Sequence, residues 1–329
     1  MKIYLGKKPG YADRSYVFPF IKNMITFFEK NRIEYTFDHN EKSDIALCVQ
    51  WEPPLRIVKK LRKRGTKIVH RLDGRAKSLI KIYDKDVENR KINRLADWTV
   101  YQSAYVKKHT TEKVKTIFGV EPPVCQNIKR SSIIYNGVDR NVFNELGETI
   151  SLKGRYNLLH VAFTAGVRKG TKYVIKLAEL LKNNPEFHFY LIGRQEDDLV
   201  AGHLIKKHRN ITALGVVYDR ELLAKYMKSA QILLFPSEND YCPNTVLEAM
   251  SCSLPVLFHN SGGTPELVCG GDFKSGVVWM DENPVYPVSV LIENMALFRA
   301  NALKNVECRF TLDMMGDSYL KLFENLMNE

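Results

Sequence analysis

Short apolar runs alternate with longer amphipathic ones along the whole chain, and this alternation limits the fold more than any other feature. The first half carries such runs at 3–5, 18–28, 45–49, 55–61, 68–70, 80–95 and 99–101. The second half repeats the pattern at 158–163, 173–181, 187–192, 211–214, 222–227, 232–235, 246–250 and 255–258. Strands alternating with helices predict parallel α/β layers, and the repeat predicts two doubly wound domains. Between them the stretch NGVDRNVFNELGETISLKGRY is polar and rich in turn residues, which puts the expected boundary near Glu148. Apolar residues at helical spacing in 311–327 (Leu312, Met315, Tyr319, Leu322, Phe323, Leu326) predict a terminal amphipathic helix.

The length of 329 residues, with 45% hydrophobic and 26% charged, suits two domains with sizeable cores. No run approaches the roughly 18 apolar residues that cross a bilayer, and the N-terminal stretch MKIYLGKKPG has no cleavage site of small residues, so a cytosolic protein is expected. Six scattered cysteines suggest neither a disulfide framework nor a zinc site, and no metal is expected. The net charge of +12 is unevenly spread. Residues 1–150 hold 30 Lys and Arg against 17 Asp and Glu, net +13, and the remainder 19 against 20, net −1. Such asymmetry points to an anionic partner for the first half or, more plainly, to a solvated basic face.

Ligands of open α/β sheets bind at the carboxyl ends of the strands, so the loops there are where chemistry is expected. In FTAGVRKGTKYVIKLAELL a strand ends at Phe163, and Arg168, Lys169 and Gly170 stand where a helix starts. Two cations beside free helix amides suit a phosphate or diphosphate, although the spacing is not that of a P-loop. In SENDYCPNTVLEAM, Pro243 suits the first turn of a helix from Asn244, whose amides with those of Thr245 and Val246 would face an anion. Asp240 lies in the loop before that helix and Glu248 more than a turn inside it. A carboxylate accepts two hydrogen bonds from a vicinal diol, so a separated pair suits ribose and hexose on either side of a diphosphate. The plainer reading has Glu238 and Asp240 capping the helix, which leaves Glu248 without a reason.

The stretch LLFPSENDYCPNTVLEAMSCSLPVLFHNSGGTPELV resembles the nucleotide-sugar signature of the retaining GT-B glycosyltransferases of family 4, an acid and a glutamate followed by a Gly-Gly and Pro-Glu loop. RKG, FYLIGR, ITALGVVYDRELLAKYMKSAQILLFPS, IIYNGVD and RFTLDMMGDSYLKLF extend the resemblance over much of the chain. It implies two Rossmann-like domains facing across a cleft. Residues 1–148 would bind acceptor and 149–310 nucleotide sugar, with 311–329 a helix crossing back to the N-terminal domain. It further implies that Asp240 contacts the donor sugar, Glu248 the ribose, and Asn244, Thr245 and Val246 the phosphates. Arg168 and Lys169 would neutralise the leaving diphosphate, Gly215 and Val216 frame the base, and Arg194 line the donor site. Transfer would retain configuration by front-face attack, with the nucleotide sugar as co-substrate and no cofactor or metal. Asp240 stands where glutamate is commoner in that family, one methylene shorter.

The first half is less diagnostic. KIYLGKKPGYADRS is a strand followed by a loop, with Gly10, as the family uses near phosphate and acceptor. KIVHRLDGR sets His70, Arg71 and Asp73 at a strand end. Asp73 would orient an acceptor hydroxyl and Arg71 or His70 approach phosphate or sugar, against the plainer reading of an Asp-Gly turn with an internal Arg-Asp pair. The stretch LRIVKKLRKRGTK predicts a basic amphipathic helix, suited to an anionic membrane surface on the cytoplasmic side or to packing on the sheet. The resulting expectation is a glycosyltransferase acting on a glycan, lipid-linked or other glycoconjugate acceptor, without specific nucleic-acid binding. A sugar-nucleotide epimerase on the same fold and a basic polyanion-binding protein are the rivals. The basic run lacks interleaved aromatic residues, which counts against the last.

Overall fold

A computed structural model describes residues 1–6, 8, 18–75, 82–116, 119–125, 129–164, 169–194, 202–203, 205 and 207–329. Gly10 and Arg168 lie outside these described residues. The chain divides into two compact units, Met1–Gly137 with Leu312–Glu329, and Val138–Thr311.

In the first unit the elements run β1 (Lys2–Tyr4), α1 (Phe18–Lys30), β2 (Glu34–Thr36), β3 (Ile45–Val49), α2 (Leu55–Lys63), β4 (Lys67–Leu72), α3 (Ile82–Asn93), β5 (Trp98–Tyr101) and α4 (Ala104–Thr111). A small antiparallel hairpin, β6 (Val114–Thr116) and β7 (Gly119–Glu121), and β8 (Ser131–Ile133) follow. Six strands form a parallel sheet in the order β2-β1-β3-β4-β5-β8. All five residues of β3, Ile-Ala-Leu-Cys-Val, are buried. A strand covered on both faces has no polar side to alternate with, which is why it reads as a continuous apolar run.

In the second unit the order is β9 (Tyr156–Thr164), α5 (Thr171–Leu180), β10 (Phe187–Arg194), β11 (Ile211–Gly215), α6 (Arg220–Ser229), β12 (Ile232–Phe235), α7 (Asn244–Ser251), β13 (Val256–Phe258), α8 (Thr264–Val268), β14 (Gly276–Val278), α9 (Val285–Glu293) and α10 (Met295–Arg309). Its parallel sheet has the order β11-β10-β9-β12-β13-β14. From β9 the chain winds outward through β10 and β11, then returns to place β12 on the other side of β9, so the winding reverses between β9 and β12. The α/β class and both doubly wound sheets match the sequence expectation.

The terminal helix α11 (Leu312–Met327) joins the first unit. Met315, Tyr319 and Phe323 are buried with Phe20, Met24 and Phe27 of α1. The two helices approach so closely that a Cβ on Gly316 would lie 2.3 Å from the Phe27 ring. Lys30 and Asp313 close the same contact with an ion pair at 2.7 Å.

The chain passes from one unit to the other at Gly137–Val138, ahead of the boundary expected near Glu148. The intervening stretch is polar as a linker would be, but it is anchored in the second unit. Phe143 is fully buried, its carbonyl accepts from Ser251 Oγ of α7, and Leu146 O accepts from Lys228 Nζ of α6 at 2.6 Å. The short strands β2, β6, β7, β8 and β14, and the helices α4, α8, α9 and α10, were not evident from apolar runs. Several sit at sheet edges, where a strand needs few buried residues.

Helix α2 buries Val58 and Leu61 against Tyr4, Ala46, Cys48, Ile68 and Ile92. Its apolar stripe is therefore spent on the core. Part of its basic side is also engaged, with Lys60 Nζ on Asn40 Oδ1 at 2.7 Å and Arg64 on the carbonyls of His39 and Asn40. Among the described residues no helix is long and apolar enough to cross a membrane.

Candidate active site

The carboxyl ends of β9, β10, β11, β12 and β13 share one edge of the second sheet because all five strands are parallel. The reversal of winding between β9 and β12 opens a crevice at that edge, where ligands of such sheets bind. Lys169 stands after β9 and Asp240 after β12, and they meet there: Lys169 Nζ donates to Asp240 Oδ1 at 3.2 Å and to Oδ2 at 3.0 Å. Ser237 Oγ, nearly buried, donates to the same Oδ2.

Two glycines press this loop into place. Gly170 caps α5 at φ +72°, and a Cβ there would come within 2.0 Å of Pro236 O. Gly262 has φ +69°, and its Cβ would come within 2.2 Å of Asp240 O. Only glycine takes that backbone without strain and permits that approach. Gly263 N donates to Asp240 O at 2.7 Å, which fixes the loop from the β13 side as well.

Helix α7 begins at Asn244 behind Pro243, with no side-chain cap. Glu238 therefore does not cap the helix, and instead accepts a long 3.4 Å hydrogen bond from Tyr173 of α5. Asn244, Thr245 and Val246 supply the first turn, at the positive end of the helix dipole, but the Val246 amide expected to face an anion already donates to Pro243 O at 3.1 Å. Glu248 follows on α7, buried, with Oε1 accepting from Arg220 at 3.2 Å. Burial raises its pKa above the ordinary carboxylate value, and the Arg220 charge opposes that rise. Arg220 packs its guanidinium 4.8 Å from the Phe143 ring centroid. The sequence reading did not single out Arg220. It belongs to DRELL, where Asp219 caps α6 through Glu221 N and Leu222 N, and that capping signal hid the arginine's role.

Gly215 ends β11 at φ +67° with Val216 directly after it, and Arg194 ends β10 with its guanidinium 5.2 Å from the Phe163 ring centroid. These residues occupy the same edge as Lys169 and Asp240. The unit thus sets a cation, a carboxylate, a helix N-terminus and a second, buried carboxylate at one end of a sheet. Chemically, that edge can hold an anion at the helix amides and Lys169 and accept hydroxyl hydrogen bonds on either side.

His70, Arg71 and Asp73 sit at the end of β4 in the first unit, and all three are buried. His70 Nε2 meets Gln50 O at 2.8 Å and its Nδ1 meets Asn93 Nδ2 at 3.3 Å. Arg71 donates to Asp73 Oδ1 at 2.6 Å, Asn136 Oδ1 at 2.6 Å, Gln102 Oε1 at 3.0 Å and Tyr319 OH at 3.2 Å, with its guanidinium 3.7 Å from the Phe20 ring centroid. It ties α1, β4, the loop after β8 and α11 together. Burial raises the Asp73 pKa, and the Arg71 charge acts against that rise. The internal Arg-Asp pair is what this geometry contains.

Residues 155–286 match the family model described as Glycosyl transferases group 1. An uncharacterized glycosyltransferase of Methanocaldococcus jannaschii is 27% identical over 237 residues, which is 69% of this chain and 56% of that protein. One from Haemophilus influenzae is 24% identical over 166 residues, 50% of this chain and 46% of its own. The chain spans about half the length of these curated relatives. Solved structures share the fold across nearly the whole chain. A Rickettsia africae glycosyltransferase superimposes with TM-score 0.68 at 15% identity, covering 98% of this chain and 84% of that one. Anabaena HepE, solved with UDP and glucose, gives 0.67 at 15% identity, covering 98% and 99%. The lipopolysaccharide outer core galactosyltransferase WaaB gives 0.65 at 15% identity, covering 99% and 100%. The two parallel sheets are those of the GT-B fold, and the matched residues 155–286, which contain Lys169, Asp240 and Glu248, are similar to the group 1 glycosyltransferases.

Proposed function

We propose that the protein transfers a sugar from a nucleoside-diphosphate sugar to a hydroxyl of a glycan, lipid-linked or other glycoconjugate acceptor. The observation that carries this reading is the meeting of Lys169 and Asp240 at the switch point of the second sheet, with Glu248 inside the adjoining helix. The diphosphate would lie against the first turn of α7 and Lys169, the ribose against Glu248, and the sugar against Asp240. Charge grows on the departing diphosphate in the transition state, and a fixed cation with oriented amides stabilises it where it grows. The structural likeness to HepE, solved with UDP and glucose, supports a nucleotide-sugar donor. Transfer with retention, without a metal, and with the first unit receiving the acceptor complete the proposal.

Glu248→Ala tests the donor assignment. A panel of nucleoside diphosphates and their sugars should raise the melting temperature of the wild type, because a ligand of the native state stabilises it. In Glu248→Ala the affinity should fall by at least about tenfold, the effect of losing one charged hydrogen bond. An unchanged shift would remove Glu248 from the donor site. Epimerisation of donor alone, with no transfer to any acceptor, would favour the epimerase reading instead.

We further propose that the basic first unit rests on an anionic membrane surface on its cytoplasmic side. Because the apolar face of α2 is buried, the attraction would be electrostatic, from exposed residues such as Arg56, Lys59 and Lys63. Each cation near such a surface contributes about 1 kcal/mol. Neutralising these three should weaken binding to phosphatidylserine vesicles on the order of a hundredfold while sparing nucleotide binding. Equal vesicle binding by the variant would discard the membrane assignment. Salt-sensitive binding to duplex DNA, indifferent to nucleotide sugar, would favour a polyanion-binding protein.

A further inference from the structure

The first sheet has its own reversal of winding, between β1 and β3, because β2 lies on one side of β1 and β3 on the other. The same rule that locates the crevice in the second unit directs attention to the carboxyl ends of these two strands. The residues there are Gly6 after β1 and Gln50, Trp51 and Glu52 after β3. The two strand ends lie side by side because β1 and β3 pair, and a Cβ on Gly6 would lie 3.5 Å from the Pro53 ring, an ordinary contact distance.

Gln50 is buried and holds a left-handed backbone, φ +54°, which a residue with a side chain seldom adopts. Its surroundings impose that conformation. Gln50 N donates to Arg71 O at 2.9 Å and its carbonyl meets His70 Nε2 at 2.8 Å. Its side chain donates to Gly74 O at 3.2 Å and accepts from Asn89 Nδ2 at 3.0 Å. Val49 and Glu52 exchange backbone hydrogen bonds at 2.8 and 3.0 Å, closing a tight turn. This buried scaffold sets Trp51 at the tip of the turn, partly exposed, with exposed Lys85 Nζ 4.4 Å from its ring centroid, and Glu52, also partly exposed, beside it. A large aromatic residue fixed by a strained backbone outside the core suits a rigid binding face better than a packing role.

We propose that Trp51 is the platform on which a pyranose ring of the acceptor stacks, with the Glu52 carboxylate accepting hydrogen bonds from the ring hydroxyls. This assignment rests on the glycosyltransferase reading and names the acceptor class as a pyranoside. The apolar C–H face of a pyranose matches an indole face, and a neighbouring carboxylate selects hydroxyls by accepting from them. Lys85, long and exposed, can swing off the ring at small cost or pair with an anionic substituent of the sugar.

The test is saturation-transfer NMR with methyl glycosides of glucose, galactose, mannose and N-acetylglucosamine. It compares wild type, Trp51→Ala, Trp51→Phe and Asp240→Asn, each first checked for a cooperative melt. At least one glycoside should bind the wild type, bind Trp51→Ala at least about tenfold more weakly, recover in part in Trp51→Phe and be unaffected in Asp240→Asn. If none binds the wild type, if Trp51→Ala and Trp51→Phe bind as well as it does, or if binding is lost only in Asp240→Asn, the proposal is overturned. Melting shifts by nucleoside diphosphates, measured on the same samples, report separately on the donor site. Their absence would sink the donor reading while leaving the sugar result interpretable.

Discussion

Replacing Lys169 by alanine is expected to lower sugar transfer by about 100- to 1,000-fold, the range seen when one preorganised electrostatic group is removed from a transition state. The geometry explains why the loss should be concentrated in kcat. Lys169 Nζ lies 3.0 Å from Asp240 Oδ2, between the start of α5 and the loop that leads into α7. It therefore faces the position where a diphosphate at the helix amides would gain charge as the sugar leaves. The variant also takes the cation away from the Asp240 carboxylate, which keeps the hydrogen bond from Ser237 Oγ. Asp240→Asn combined with Lys169→Ala should then lose little more than Lys169→Ala alone, because groups acting as a unit are not additive. Steady-state kinetics with the donor found by melting shifts would measure both variants. Near-wild-type turnover by Lys169→Ala, with fold retained, would remove the lysine from the transition state.

Acid is expected to destabilise the first unit through the buried His70 and the second most strongly through the buried His160. His70 Nε2 must carry a proton for the Gln50 carbonyl, and its Nδ1 must stay bare to accept from Asn93, so the folded unit requires the neutral ring. His160 likewise turns Nδ1 to Leu234 O at 3.0 Å and Nε2 to Thr171 Oγ1 at 3.2 Å, at the start of α5. Burial pushes His70 and His160 each down from 6.5 to about 4. The unfolded chain thus takes up these protons near 6.5 and the folded chain only near 4. In that interval the unfolded state binds more protons, so stability is full above the upper value and is lost as the pH falls through the window. From pH 7 to pH 5 the loss should be about 2 kcal/mol for each histidine. Urea melts at pH 7, 6 and 5 would show it. His70→Gln and His160→Gln should each start less stable at pH 7 and lose less on acidification. Slopes equal to that of the wild type would show that these rings are not the groups responsible.

Local stretches of sequence already carried the framework. Alternating apolar runs predicted parallel layers because β3 and β12 are buried along their whole length, and burial on both faces leaves the same trace in any chain. Pro243 and the residues after it marked the start of α7, since a helix start is decided within one turn. The spacing of Asp240 and Glu248 was legible for the same reason: the seven residues of loop and helix between them hold them apart whatever surrounds them.

What the charged groups pair with depended on the tertiary structure. Lys169 and Asp240 are 71 residues apart in sequence and meet because β12 returns to lie beside β9. Arg71 reaches Tyr319 across 248 residues because α11 folds back onto α1, and it closes an internal network where the sequence left a phosphate or acceptor role open. The stripe of α2 had the pattern of a membrane-surface helix, yet Val58 and Leu61 are enclosed by the first sheet. Periodicity records that a face is apolar without recording what covers it. By itself, then, the sequence determined the layers, the helix starts and the spacing of the acidic pair, all set by neighbours in the chain. Strand order decided which cation meets which carboxylate and which aromatic stays outside the core, because those contacts depend on where distant segments cross.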